Sequence, residues 1–387
     1  MSRVSLGGVQ GRRSWSSALT LALGLFAACR STPPQAPSHA GPLGLAFLHD
    51  FNPARATAPS ADPLAASWSA AALGGLSGLY YQESSRTLYA VSDNCSHGPA
   101  RVYALDLELS AASFHVEPRS VLPLRDTRGS KLFDLCDSES LAPDPAGGFF
   151  FGTENHDEKP DMPLPSILRV TADGAITGVV PLPQEFLPES AGAHTRGTRS
   201  NQAFEGLTVS PSGRWLTAIT ESALQQDGPE ANFEQGTIVR LLRWDLARQG
   251  PPQQFRYSTE PVPRPPTGSA GLEGGNGVSE ILSLDDQRML VLERAYVAPP
   301  HVHGTNTIRI YEATLPSAPE TLLAKRLVLD LDDILPQLEP GQQTLDNFEG
   351  MSFGPRLPSG ERTLLLVSDD NFSAYQRTVF LAFRVIE

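Results

Sequence analysis

Three cysteines among 387 residues are too few for a disulfide scaffold. Basic side chains are also scarce: 30 Lys and Arg stand against 43 Asp and Glu, a net charge of −13. Binding a nucleic-acid backbone needs a basic face to neutralise phosphates, so nucleic acid is excluded as the main partner. Charged residues make up only 19% of the chain, and no amphipathic helix of any length can be traced. No Walker loop or zincin helix motif is present. What is plentiful is Gly (33) and Pro (34), which favours many short strands joined by turns over long helices. The length suits one large domain or two ordinary ones, either able to bury a sizeable core.

The N-terminus reads as an export signal. Arg3, Arg12 and Arg13 precede an apolar run from Trp15 to Ala28. That run is too short to span a bilayer as a helix, which takes about 20 residues. A charged start, a short apolar middle and small residues before a cut mark a secretory signal. Leu25-Phe26-Ala27-Ala28-Cys29 resembles a bacterial lipobox, which implies cleavage before Cys29 and lipid on its thiol; ordinary cleavage nearby, with Cys29 a bystander, is the alternative. Arg30 rather than Asp follows, pointing to an outer-membrane destination in a double-membraned cell, or else to a periplasmic or secreted protein. Loss of residues 1–28 removes three Arg and no acid, leaving −16. Contact with a membrane is therefore expected only through the lipid, and the body is expected to act as a monomer. Residues 29–43 are a Pro/Ala/Ser-rich linker after the anchor, and 44–387 form the body. Cys95 and Cys136 are the two other thiols. In an exported protein they are expected to pair, closing a loop that stabilises by roughly 3–4 kcal/mol in the chain-entropy picture.

The body carries a degenerate repeat. Phe204-Glu205-Gly206-Leu207-Thr208-Val209, a Pro-Ser-Gly turn and Trp215 to Glu221 read as a β-hairpin. Four other segments follow the same plan: Leu76 to Asp93, Ser138 to Glu154, Val278 to Glu293 and Phe348 to Asp369. The closing acids lie 61, 67, 72 and 76 residues apart, enough for a four-stranded blade with loops. The expected fold is all-β, a β-propeller of six blades, with five or seven as alternatives and a pair of β-sandwiches as the competing architecture. A sixth blade without the motif would lie within 155–200 or 222–275. The last strand, Val379 to Val385, is expected to share a blade with Leu45 to Leu48, hiding both edges.

In a hairpin, the residue entering the first strand and the one leaving the second lie at the same end. The entry positions are Ser77, Glu139, Glu205, Ser279 and Glu349, with a one-residue slip able to exchange Ser279 for Glu280. The exit positions are Asp93, Glu154, Glu221, Glu293 and Asp369. Propeller symmetry gathers them at one mouth of the channel, where crowding raises carboxylate pKa values unless cations intervene. Hard oxygen donors without Cys or His partners suit Ca²⁺ or Mg²⁺, so Asp93, Glu139, Glu154, Glu293, Glu349 and Asp369 are candidate Ca²⁺ ligands. Glu205 and Glu221 are candidate bases and Arg294 a candidate anion stabiliser. Arg199, Asn201 and Lys131 are candidate contacts to a small anionic or ester substrate. The structural alternative is that each acid holds backbone N–H groups of the next blade.

Other motifs carry less. Gly350-Met351-Ser352-Phe353-Gly354 matches a serine-nucleophile pattern, but Ser352 falls within a repeat strand rather than at a strand-to-helix turn. His301 and His303 lack further ligands at metal-site spacing. His97 and His156 follow closing acids and read as loop residues or rim acids. Asp330 to Asp333 lacks the Gly and terminal Glu of a calcium-binding EF-hand loop.

The runs GGLSGLYYQESSRTLYAVSDN, DSESLAPDPAGGFFFGTEN, NQAFEGLTVSPSGRWLTAITES, GVSEILSLDDQRMLVLER and NFEGMSFGP with TLLLVSDDNF resemble the phytase-like family, also described as "esterase-like activity of phytase". The resemblance covers about residues 73–387. It implies a β-propeller related in architecture to calcium-dependent propeller phytases, export, and hydrolysis of an ester or phosphoester. Arg199, Arg294 and Lys131 match basic places in or beside the motifs. They do not form a cluster dense enough to grip phytate.

Overall fold

The computed structural model describes residues 42–53, 73–93, 99–132, 137–154, 164–189, 194–248, 250–265, 268–299, 304–373 and 375–387. The expected signal peptide and linker, with Cys29, Cys95, Cys136, His97, His156, His301 and His303, lie outside the described residues. Among the described residues, no helix is long and apolar enough to cross a membrane.

Among the described residues, twenty strands form five antiparallel sheets of four. The first blade is β2 (Leu76–Gln82), β3 (Thr87–Ser92), β4 (Arg101–Leu109) and β5 (Phe114–Pro123). The second is β6 (Ser138–Pro143), β7 (Phe149–Thr153), β8 (Ser166–Val170) and β9 (Ile176–Val180). The third is β10 (Phe204–Val209), β11 (Trp215–Thr220), β12 (Ile238–Asp245) and β13 (Gln253–Ser258). The fourth is β14 (Glu273–Ser283), β15 (Arg288–Ala298), β16 (Thr305–Thr314) and β17 (Ala324–Asp330). The fifth joins β18 (Asn347–Gly354), β19 (Thr363–Asp369) and β20 (Phe380–Ile386) to β1 (Gly44–Phe51).

The inner strands β2, β6, β10, β14 and β18 touch in sequence and β18 returns to β2, closing a five-bladed propeller. Five blades, not the favoured six, are realised. The segments thought able to hold a sixth instead supply β8 and β9, and β12 and β13, the outer halves of the second and third blades. The expected closure is present: β1 runs antiparallel to β20 from Gly44 opposite Ile386 to Phe51 opposite Phe380.

The core is five apolar layers, one between each pair of neighbouring blades. This explains the continuous apolar runs of the middle strands, since a strand buried on both faces needs no polar alternation. In β19, Leu364 and Leu366 pack toward the fourth blade, while Leu365 and Val367 pack toward the first. The side-chain period of two sends successive residues to opposite layers. Where inner strands converge, bulk is excluded. A Cβ on Gly78 would lie 2.7 Å from the Leu141 backbone nitrogen of the next blade, and one on Gly350 2.6 Å from the Ser77 carbonyl oxygen.

Candidate functional site

Every inner strand breaks register at the same place. The ladder jumps between Leu76 and Leu79, Ser138 and Ser140, Phe204 and Gly206, Val278 and Glu280, and Phe348 and Gly350. A β-bulge leaves one residue unpaired and re-aims its side chain. The five bulges hold Ser77, Glu139, Glu205, Ser279 and Glu349, the entry positions of the repeat. Ser279, not Glu280, is thus the fourth blade's equivalent. Its hydroxyl donates to the Phe348 carbonyl at 3.1 Å. Glu280 turns toward the third blade, accepting from the Leu207 N–H at 3.0 Å and the Ile281 N–H at 2.8 Å.

The exit positions hold a surprise in the fourth blade. Leu76, Ser138, Phe204 and Phe348 pair with Ser92, Thr153, Thr220 and Ser368, each one residue before the closing acid. In the fourth blade Val278 pairs with Glu293. Glu293 therefore stands where the others carry a small hydroxyl residue, and Arg294 stands at the acid position. The structure separates Glu293 from the other predicted ligands. Its carboxylate accepts from Tyr257 Oη (2.6 Å), the Glu260 N–H (2.9 Å), Asn276 Nδ2 (2.9 Å) and Lys325 Nζ (2.8 Å). This network ties the third blade to the fourth.

The remaining predicted acids do form one electrostatic cluster. Burial raises Glu139 well above the usual carboxylate range, and Glu205, Asp137, Asp93 and Glu349 add repulsion. Glu205 is raised likewise by burial and then by Glu154, Glu221 and Glu349, against the pull of Arg294. Glu154 and Asp369 are also held well above it by burial and by other ring acids. Glu349 rises by burial against the pull of Arg294. Burial pushes Glu221 up to about 7, with Arg294 opposing and Glu349 and Glu230 reinforcing. Burial pushes Asp93 to about 7 as well, helped by Glu349, Asp137 and Asp370. Arg294 is a cation within the ring. Its Nη2 lies 3.2 Å from Glu221 Oε1 and 3.6 Å from Glu349 Oε1. Burial disfavours its charge, but Glu349, Glu221, Glu205 and Glu139 outweigh that and raise its pKa. Gly277 leaves the room for the pair, since a Cβ there would sit 2.5 Å from Glu221 Cγ.

Some ring acids hold backbone. Glu154 Oε1 accepts from the Ala203 N–H of the third blade, and Asp369 Oδ1 accepts from the Asn371 N–H at 2.8 Å. Glu349 Oε1 accepts from Asn347 Nδ2 at 2.7 Å. In contrast, Glu205 Oε2 and Asp93 Oδ1 are buried without a hydrogen-bond partner. An all-oxygen donor set has the right chemistry for a hard cation. Among the described residues, no three His, Cys, Asp or Glu side chains come together as a ligand set.

The predicted substrate contacts are not brought into the ring. Arg199 ties down the loop after β11, donating to the Ala223 carbonyl (3.0 Å), Gln225 Oε1 (3.1 Å) and the Gly228 carbonyl (2.6 Å). Asn201 is exposed in a left-handed turn with φ 54°. Lys131 is exposed, bridged through its backbone to Arg125. Sequence reasoning missed Asp137, whose left-handed backbone (φ 88°) brings a further carboxylate to the ring. Its counterparts, two residues before each bulge, are Gly75, Ala203, Gly277 and Asn347, so comparison of the repeats gives no sign of an acid there. Arg101 was missed too; it is buried, its charge draws the Asp93 pKa down, and its Nε donates to Tyr103 Oη at 2.6 Å.

A family described as "Phytase-like: Esterase-like activity of phytase" matches residues 71–372. No curated protein matches the chain. Among solved structures, the N-terminal domain of Nup159 aligns at 10% identity and TM-score 0.31, covering 89% of this chain and 96% of that one. An S. cerevisiae assembly of a Dbp5 variant with Nup159, a Gle1 variant, IP6 and ADP aligns at 10% identity and TM-score 0.32, with the same coverage. Alignments this loose carry no argument about function.

Proposed function

Because the chain belongs to the phytase-like family, we propose that it hydrolyses an ester or phosphoester at the carboxylate mouth of its propeller. The observation that carries this reading is the pair of Glu221 and Arg294. Both are only partly buried, at 14% and 16% side-chain exposure, so solvent and substrate reach them. Glu221, with a pKa of about 7, is matched to take a proton from an attacking water at neutral pH. Arg294 is charged throughout and stabilises the negative charge that develops on the substrate oxygen. Glu205, 4% exposed and raised well above the usual carboxylate range by burial and neighbouring acids, is the group placed to supply a proton to the leaving oxygen.

Calcium enters this proposal as a ligand that would have to draw the ring's carboxylates closer together, and no step above depends on it. The proposal also includes export and a lipid on Cys29, which mass spectrometry of the mature N-terminus tests. A second reading, a non-catalytic propeller that binds a ligand, glycan or protein, is favoured by the backbone-holding roles of Glu154 and Asp369.

The deciding experiment offers the full-length protein phytate, an aryl phosphate and an aryl acetate, each with Ca²⁺ and with chelator. Turnover of any of them, abolished by Glu221→Gln and by Glu205→Gln in folded protein, supports the hydrolase. No turnover of any by a folded wild type supports the binder.

A further inference from the structure

The fourth blade stands taller than the others at the mouth. Strands β2, β6, β10 and β18 start one or two residues before their bulged residue, whereas β14 starts six residues before Ser279. Its ladder with β15 runs outward from Gly277 opposite Arg294, through Gly275 opposite Tyr296, to Glu273 opposite Ala298. β16 supports this extension as far as Thr305 opposite Val297. The side-chain period of two puts Gly275, Gly277, Arg294 and Tyr296 on one face and Gly274 and Asn276 on the other. The rear face is packed against the third blade's loops. A Cβ on Gly274 would lie 2.9 Å from Val262 Cγ1 and 3.1 Å from Phe233 Cζ, and Asn276 Nδ2 donates to the Glu260 carbonyl at 2.8 Å. The front face carries Glu221, which lies over Gly277 and pairs with Arg294. One step further out, an edge of the Tyr296 ring lies against Gly275. A Cβ there would sit 2.8 Å from Cε1, 3.4 Å from Cζ and 3.5 Å from Cδ1. Tyr296 is still 45% exposed, so much of its ring is open to solvent. Positions two apart on a strand are separated by about 7 Å, so the ring and the Glu221 carboxylate stand side by side at about that distance.

We infer that Tyr296 is a specificity residue and that the substrate is a neutral ester with an aromatic ring beside the scissile bond, the ring stacked on Tyr296 and the carbonyl between Glu221 and Arg294. This rests on the hydrolase reading. An attacking water needs about 3 Å to its base and about 3 Å to the carbonyl carbon. The spacing of about 7 Å along the strand therefore places an ester attached directly to the ring within reach of that water. Gly275 makes the seat, since any side chain there would push the Tyr296 ring away. The wall is held by β16 on one edge and by Phe233 and Val262 behind it, so little ordering is needed when a ligand arrives. Burial, and then the charges of Glu230 and Glu221, raise the Tyr296 pKa, which keeps its own ring neutral. An anionic ring on the substrate would meet Glu230, Glu221 and Glu273 around the same position, and juxtaposed like charges oppose binding. A neutral ring gains the stacking without that repulsion.

The test gives the full-length protein each aromatic ester beside a saturated counterpart: phenyl acetate with cyclohexyl acetate, and methyl benzoate with methyl cyclohexanecarboxylate. Comparing each ester with itself in wild type and in Tyr296→Ala cancels intrinsic reactivity. An aromatic pair contributes about two- to tenfold beyond area burial. Tyr296→Ala is therefore expected to lower kcat/KM for an aromatic ester by about two- to tenfold more than for its saturated counterpart, while Tyr296→Phe keeps wild-type values. An excess loss for phenyl acetate puts the ring on the alcohol side and one for methyl benzoate on the acyl side; either supports the inference. Equal losses within both pairs, or the same loss in Tyr296→Phe, overturn it. Titration of benzamide and cyclohexanecarboxamide followed by nuclear magnetic resonance needs no turnover and separates the two claims. Benzamide is expected to bind more tightly, and Tyr296→Ala to remove the difference. That result without hydrolysis of any ester removes only the hydrolase. Hydrolysis with no difference between the amides removes only the aromatic seat. Melting curves verify folding; if Tyr296→Ala does not fold, the wild-type comparison of the two amides still decides.

Discussion

Replacing Asp93 with Asn removes a carboxylate that the fold holds at a pKa of about 7, against an ordinary value of 3.8. The principal cause is burial, followed by Glu349, Asp137 and Asp370. At 1.36 kcal/mol per tenfold, that difference corresponds to roughly 4 kcal/mol. The folded pKa lies above the unfolded one, so this site's contribution to stability is complete below about pH 3.8. It is lost as pH rises through 7, because the folded state must give up a proton that the unfolded chain has already released. Between those limits, wild-type stability falls at this site by up to about 1.4 kcal/mol per pH unit. Asparagine has no such proton. After allowance for the lost attraction to Arg101, the variant should exceed wild type by about 2–4 kcal/mol at pH 8 and by much less at pH 4. For a body of this size, with an unfolding entropy of about 2.1 cal/mol/K per residue, 1 kcal/mol moves Tm by about 1.4 °C, so a gain of about 3–6 °C is expected. Calorimetric melts of both proteins from pH 4 to 8.5, without divalent cations, measure it. The other ring acids titrate in both proteins, so the informative quantity is the difference. An Asn variant that melts below wild type at pH 8 would refute the reasoning, since the carboxylate would then be compensated in the fold.

Four further outcomes are expected. Arg294→Gln should lower kcat by about 10²–10³, the usual loss when a group stabilising developing charge is removed. It should also move the acid limb of the pH–rate profile upward, because Arg294 is what holds the Glu221 pKa down. Lys325→Met should destabilise by about 3–5 kcal/mol in urea titration by stranding buried Glu293, while kcat stays unchanged; a large kcat loss in folded protein would bring Glu293 back to the mouth. Gly78→Ala should cost about 1–3 kcal/mol by overpacking against Leu141, read from the same titration. Deleting residues 44–51 should leave β20 as an open edge and produce aggregation visible by light scattering.

The five hairpins were legible because each is a local pattern: a turn between two apolar runs, ending in an acid. The closure of β1 on β20 was legible because β1 is an apolar strand with no hairpin partner of its own and β20, paired with β19 on one edge, has its other edge open. Blade number was harder. The outer strands β8 and β9, and β12 and β13, carry no motif, so their segments could equally be counted as a separate blade. Arg199 looked like a substrate contact because it precedes a motif, yet its guanidinium is directed into the 223–228 loop by contacts that no local pattern announces.

From the sequence alone follow an all-β propeller, its repeat and the concentration of carboxylates at one mouth. Each of these depends on residue type and short-range spacing. Which acid faces the axis was decided only by tertiary structure. In the run Val291-Leu292-Glu293-Arg294, the last two residues look like a motif acid with a following base. The register opposite the β14 bulge seats Arg294 at the acid position and sends Glu293 to the far face. Side chains alternate along a strand, so a shift of a single residue exchanges the two faces. That shift puts a guanidinium at a position where the other four blades carry a carboxylate.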